Sequence, residues 1–278
     1  MGEVLRFTEI DICRGIAILM MVLFHTLFDI SFFGIGQVNV EAGFWRYFAY
    51  ATATFFLLVV GVSLVVSYAR ASTRLSGFSL AKKFFLRGAG IFALGLLVTL
   101  ATWLYLREGF IIFGILHLIG ISVILSPLFF RFKKYNIILG IVCILIGLLV
   151  ISQMGPVYLQ FFGIQAAESW SVNYTSLISW STAGMILPLL LLPLGIHAPA
   201  FWSVDYTPLF PWFGMVLIGM GIGEFLYGEG VRHFTAPRLP NFIVAPLSFL
   251  GRHSLVIYLV HQPMIILMLA AVTNTKVL

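Results

Sequence analysis

Four residues early in the chain are of types that carry charge or move protons, and their spacing puts them in line. Asp11, Arg14, His25 and Asp29 share one face of an α-helix. At 100° per residue, Arg14 and His25 differ by only about 20° around the axis and by roughly 16 Å along it. Asp11 lies one turn before Arg14 and Asp29 one turn after His25, so the four read as one polar stripe. In that arrangement His25 suits a general base, or a transient carrier of an acyl group, with Asp29 orienting its ring and stabilising the imidazolium. The plainer alternative keeps Asp11 and Arg14 as a surface ion pair and His25 with Asp29 as a satisfied buried pair. Against it stands the cost of an ionisable group deep in an apolar run, which makes such a residue a functional candidate by default.

Other polar groups recur inside apolar surroundings. His117 follows Phe113-Gly-Ile-Leu, and Asp205 precedes Tyr206-Thr-Pro-Leu-Phe-Pro-Trp212-Phe-Gly214. An aromatic belt with two helix-starting prolines explains most of the second stretch but leaves Asp205 unexplained. Near the end of the chain, Gly251-Arg252-His-Ser precedes His261-Gln262-Pro263, where the proline removes a backbone hydrogen bond and the two polar side chains either satisfy the freed groups or line a cavity. Lys82, Lys83 and Arg87 cluster within about a turn and a half. Their default role is contact with lipid headgroups, but three converging cations also suit a phosphorylated ligand. Cys13 and Cys143 form no metal-ligand spacing, and the six histidines carry no HExxH pattern, so no metal is expected.

The elements that must position these residues follow from composition. Only 9% of residues are charged and 61% are hydrophobic, whereas an ordinary soluble domain is about 25% charged. So little charge cannot cover a water-facing surface, and the chain reads as one all-α, polytopic transmembrane domain over 1–278. Spans are expected at about 12–34, 47–69, 84–106, 110–130, 137–154, 209–228 and 247–270. The first run carries His25 and Asp29 where a cleavable signal would be uniformly apolar, so it is expected to remain as a span.

The net charge of +6 comes from basic residues beside the spans, which is the positive-inside pattern rather than a nucleic-acid surface. It places the N-terminus and the loops near 70–87 and 131 in the cytoplasm. The segment 177–196 is broken by Pro188 and Pro193. If it is non-spanning or re-entrant, about seven spans put Arg232, His233 and Arg238 inside as well; if it crosses, there are eight and that loop faces outward. Seven spans satisfy the charge rule throughout, and the broken segment would then form part of a cavity wall.

Taken together, Glu9-Ile-Asp11-Ile-Cys-Arg14-Gly15, Phe113-Gly-Ile-Leu-His117, Asp205 to Gly214 and Gly251-Arg-His-Ser-Leu resemble the bacterial and archaeal relatives of heparan-α-glucosaminide N-acetyltransferase. The spacing of Arg14 and His25 is also similar to a signature of the wider group of membrane acyltransferases that modify envelope glycans. The resemblance covers most of the chain apart from about 155–183. It implies an enzyme of the cytoplasmic membrane that moves an acyl group, usually acetyl, from acyl-CoA to an amine or hydroxyl of a sugar or glycan. On that reading Arg14, Lys83 and Arg87 hold the donor's phosphates, and His25, Asp29 and His117 form the catalytic group. Asp205, Tyr206, Trp212, His261 and Gln262 meet the acceptor, while Asp11 and Arg252 serve structure or gating. The partners are then the lipid bilayer, acyl-CoA and a glycan acceptor, with no nucleic acid and with a homo-oligomer left open. A proton-coupled transporter would use intramembrane His and Asp residues in the same way, but the inverted repeat of many transporters is missing.

Overall fold

A backbone inside a bilayer finds no water to bond with, so each long apolar run closes its own hydrogen bonds as a helix. The computed structural model describes residues 7–153, 191–197, 201–236 and 239–273. Among them the helices are α1 (Thr8–Phe32), α2 (Gly43–Ser72), α3 (Gly77–Leu106), α4 (Ile115–Phe129), α5 (Asn136–Gln153), α6 (Leu209–Tyr227), α7 (Asn241–Arg252) and α8 (Ser254–Thr273). Six stretches are long and apolar enough to cross a membrane: Thr8–Phe32, Gly43–Ser72, Gly77–Leu106, Ile115–Leu149, Leu209–Gly230 and Ser254–Thr273. The protein is thus a polytopic helical membrane protein. Residues 177–190 of the proline-broken segment lie outside the described residues.

Two expected boundaries change. The spans expected at 110–130 and 137–154 overlap the single stretch Ile115–Leu149, where a 3-10 turn at Phe130–Tyr135 separates α4 from α5 and Lys133 adopts φ +47°. The last span, expected at 247–270, is two helices. Leu247 lies against Gly15 and Gly251 against Asp11, so α7 runs antiparallel to α1, whereas His261 of α8 meets His25 much further along α1. The chain therefore changes direction at His253. Gly251-Arg252-His253-Ser254 stands at the break, but apolar residues flank it on both sides, and periodicity reads the four as the polar end of one long span.

By its contacts the chain forms two compact units, Met1–Val59 with Phe234–Leu278, and Val60–His233. In the first, α1 carries Glu9 and Asp11 in its first turn, where carboxylates suit the positive end of the helix dipole. It ends at Gly34, φ +67°, with Ile35 N–H donating to Ile30 O at 2.9 Å and Gly34 N–H to Ser31 O at 3.0 Å. This pair of bonds closes a Schellman cap.

Small residues set the packing in both units, because lipid supplies no hydrophobic drive between helices and close backbone approach must replace it. In the second unit, a Cβ at Gly140 would lie 2.6 Å from Gly214 O and one at Gly214 the same distance from Gly140 O, locking α5 to α6. Gly88 and Gly120 do the same for α3 and α4, at 2.5 Å from Gly120 O and 2.9 Å from Gly88 O. In the first unit, Gly15 and Gly251 abut the backbone carbonyls of Leu247 and Asp11. A methyl group at either position must push two helix backbones apart.

Gly251→Ala is therefore expected to lower stability in detergent by about 1–3 kcal/mol, the usual cost of overpacking. Gly90, whose Cβ would meet nothing within 4 Å, should show the opposite sign, with Gly90→Ala gaining roughly 0.5–1 kcal/mol from helix propensity. Thermal unfolding of the two variants beside the parent checks both signs.

Candidate active site

The expected site residues fall into two groups, one in each unit. In the first unit, α1 and α8 bring His25, Asp29, His261 and Gln262 together. His25 Nδ1 lies 2.9 Å from Met21 O. A carbonyl only accepts, so Nδ1 carries the proton and Nε2 is left as the basic lone pair. The His261 ring stands edge-on to that of His25, with centroids 4.9 Å apart. Its own Nδ1 lies 2.6 Å from Tyr258 O, which fixes the same tautomer. Gln262 Nε2 donates to Asp29 Oδ1 at 2.6 Å.

Asp29 therefore does not orient His25, contrary to the expectation from their spacing. Helical side chains lean toward the N-terminus, so the imidazole reaches back to the Met21 carbonyl, and the short carboxylate is taken by a neighbouring helix. Asp29 is 2% exposed and His261 8%. Three atoms of this cluster, Asp29 Oδ2, His261 Nε2 and Gln262 Oε1, are buried without a hydrogen-bond partner. An orphaned buried acceptor costs roughly 1–3 kcal/mol, and three of them lie together here.

At the start of α1, Arg14 Nη1 donates to Asp11 Oδ1 at 3.1 Å, with Asp11 buried. This is the local ion pair of the plainer reading, but with its carboxylate buried rather than at the surface. Arg252, at the end of α7, is exposed and donates from Nε to Ser248 O at 3.1 Å.

The second unit builds a different arrangement around the start of α4. Gly114 N–H donates to His117 Nδ1 at 3.2 Å, so the proton sits on Nε2, which lies 3.5 Å from Thr99 Oγ1. With Phe92 edge-on at 5.0 Å and Phe113 stacked at 5.5 Å, His117 is a buried helix-capping residue. In this arrangement both ring nitrogens of His117 are engaged, Nδ1 with Gly114 N–H and Nε2 with Thr99.

The segment before α6 is laced to the loop before α4. Val204 N–H donates to Gly109 O at 2.9 Å, Thr207 N–H to Phe113 O at 2.9 Å and Ser203 Oγ to Phe110 O at 2.9 Å. This lacing carries Asp205 to the N-terminus of α4, where Ile115 N–H points at Oδ2 from 3.5 Å. Tyr206 is spent on a bond of 2.6 Å to Leu192 O, and Trp212 is buried in α6. His197, 5% exposed and edge-on to Tyr206 at 5.2 Å, belongs to the same cluster and was not anticipated, since it follows a proline-broken run with no motif around it. Lys82, Lys83 and Arg87 are exposed on α3, and Arg87 Nη1 donates to Ser67 Oγ at 3.1 Å. No group of three or more His, Cys, Asp and Glu side chains among the described residues is placed to hold a metal ion.

Burial pushes the Asp205 carboxyl up to about 6, opposed by the Ile115 N–H, whose bond is too long to win. Its unfolded value is about 3.9. The sign follows: this carboxyl contributes stability that is complete below about pH 4 and is lost as pH rises through about 6. Asp205→Asn cannot ionise, so the melting temperature of the parent relative to this variant should fall between pH 4 and pH 7. A pH-independent difference would show that the surroundings of this carboxyl do not favour its neutral form.

A family profile described as "Heparan-alpha-glucosaminide N-acetyltransferase, catalytic" matches residues 6–187 and 185–263. No curated protein and no solved structure matches the chain. Because the family match runs through both units and takes in His25, Asp29, His261 and Gln262, the chain belongs to the heparan-α-glucosaminide N-acetyltransferase catalytic family of membrane acetyltransferases.

Proposed function

We propose that this protein transfers an acetyl group from cytoplasmic acetyl-CoA to an amine or hydroxyl of a sugar or envelope glycan, as one catalytic domain of a cytoplasmic membrane with its N-terminus inside. The observation that carries this reading is His25. Its Nδ1 is tied to Met21 O and its Nε2 is free to accept a proton, on a helix that the family match includes.

The chemistry needs one base. The acceptor's nucleophilic nitrogen or oxygen attacks the thioester carbonyl carbon while His25 Nε2 removes its proton, and the C–S bond breaks with its electron pair going to sulfur. A fixed tautomer supports this role, since the ring needs no rearrangement before it accepts the proton. Gln262 and Asp29 support binding of the acceptor: their partnerless oxygens, Oε1 and Oδ2, accept from the N–H or O–H groups that such an acceptor carries. For the donor, the exposed cluster of Lys82, Lys83 and Arg87 suits phosphates, and the hydrogen bond to Ser67 holds the Arg87 guanidinium in place. Arg14 is the weaker of the expected phosphate ligands, because Asp11 already neutralises it. A transporter has no specific observation in its favour.

His25→Ala is expected to retain binding of CoA while turnover falls by about 10²–10⁴-fold, the usual worth of a general base. Acetyl transfer to a glucosamine-type acceptor in nanodiscs measures this, and turnover within about threefold of the parent would place the base elsewhere. Arg87→Ala should act on binding instead, raising the donor KM with kcat nearly unchanged, as loss of a uniform binding contact does. A collapsed kcat at unchanged donor KM would mean that Arg87 does not hold the donor's phosphates.

A further inference from the structure

The base at His25 leaves one buried group beside it without a task. His261 Nε2 has no hydrogen-bond partner, its ring is 8% exposed, and it stands at 4.9 Å edge-on to His25. Both rings have Nδ1 tied to the carbonyl of their own helix, His25 to Met21 O at 2.9 Å and His261 to Tyr258 O at 2.6 Å. Two imidazoles held in this way present two Nε2 lone pairs, one on each side of a helix contact. One proton can be passed between them, whereas two would put two positive charges side by side in a site with little water.

We propose that His261 is the proton relay partner of His25, so that the two rings hold one proton between them and pass it from the acceptor to the leaving thiolate. The proposal rests on His25 being the base. The step balances without any added reagent. The acceptor's X–H proton goes to His25 Nε2 as the new C–X bond forms, and the C–S bond breaks with its electrons on sulfur. His25 then passes the proton from Nε2 to His261 Nε2, and His261 delivers it to the thiolate to give the CoA thiol. Each ring ends as the neutral Nδ1–H form in which it began, and no proton has to leave the membrane-embedded site between turnovers.

The other titratable and charged groups around the pair fit this role. On α1 it is Asp29, one turn from His25 and engaged with Gln262 at 2.6 Å. On α8 it is Tyr258, whose ring centroid lies 5.5 Å from that of His261. From α7 the unit presents Arg252 and, at the break before α8, His253, both exposed and bound to α7's own carbonyls, Ser248 O and Phe249 O. Gln262, adjacent to His261 in sequence, braces the end of this contact through its bond to Asp29. That brace explains why a neutral amide and a carboxylate accompany two histidines here.

The test is a histidine-ring NMR titration of the protein in nanodiscs, read beside acetyl-transfer rates. In the parent the two rings should titrate together in two coupled macroscopic steps, and in His261→Gln or His261→Asn the remaining ring should titrate in one. Either amide variant should lower kcat by about 10²-fold, as loss of an acid–base partner does, with donor KM within about threefold. The double variant with His25→Ala should be no slower than His25→Ala alone, because a relay acts only through the base. Independent one-proton curves for the two rings in the parent would overturn the relay even if neither variant folds. So would losses that multiply in the double variant. Near-normal turnover of His25→Ala would instead overturn the base assignment, with the parent titration still deciding whether the rings share a proton.

Discussion

A polar atom carried into a bilayer on one helix must be met by another helix or by a substrate, and most of what is particular about this protein follows from that constraint. Where another helix meets it, the result is architecture. His117 spends both ring nitrogens on the start of α4 and on Thr99 of α3, Tyr206 spends its hydroxyl on Leu192 O, and Ser203 reaches back to Phe110 O. Where nothing meets it, the result is a candidate site. Of the five buried side-chain atoms without partners among the described residues, three belong to Asp29, His261 and Gln262. Which lone pairs remain thus separates His117 from His25, two residues that look alike as sequence.

The same constraint explains why glycine governs the packing. Helices whose outer surfaces face lipid gain little by burying apolar side chains against one another, so stability has to come from backbone-to-backbone contact and from the polar pairs that such contact aligns. Gly15 and Gly251 bring α1 and α7 within van der Waals reach at Asp11 and Leu247, which fixes where α7 ends. With α7 anchored there, the chain changes direction at His253 and α8 delivers His261 and Gln262 to the level of His25 and Asp29. A packing contact near one end of α1 therefore sets the register of the polar cluster further along it.

This division also shows how far the chain could be read without coordinates. The helical stripe of Asp11, Arg14, His25 and Asp29 was legible because a 3.6-residue period makes neighbours of positions three, four and eleven apart. Composition alone gave the membrane-spanning class. What could not be read was which neighbour each polar side chain would choose. Spacing offers His25 both Met21, one turn behind, and Asp29, one turn ahead, and only the lean of helical side chains and the arrival of Gln262 from α8 decide between them. The break at His253 was missed for a related reason: Gly251-Arg-His-Ser interrupts the apolar run there, but a short polar interruption reads the same at the end of one long span as between two helices, and the glycine contacts that turn the chain join positions more than two hundred residues apart. His197 was missed because nothing around it marks a helix face.

Motifs, finally, mix residues with different jobs, and the geometry separates them. In the segment from Glu9 to Gly15, Asp11 and Arg14 neutralise one another at 3.1 Å, while Gly15 is a packing residue against Leu247. In the segment from Gly251 to Ser254, the glycine packs on Asp11 and Arg252 faces outward onto its own helix. The two signatures meet each other, so their residue types are tied together by helix contact before any substrate is considered. The residues with chemistry left to do, His25, Asp29, His261 and Gln262, lie one to four turns beyond those signatures. The buried atoms left without partners, on Asp29, His261 and Gln262, thus lie beyond the glycines and arginines of the signatures, on helices that those glycines bring together.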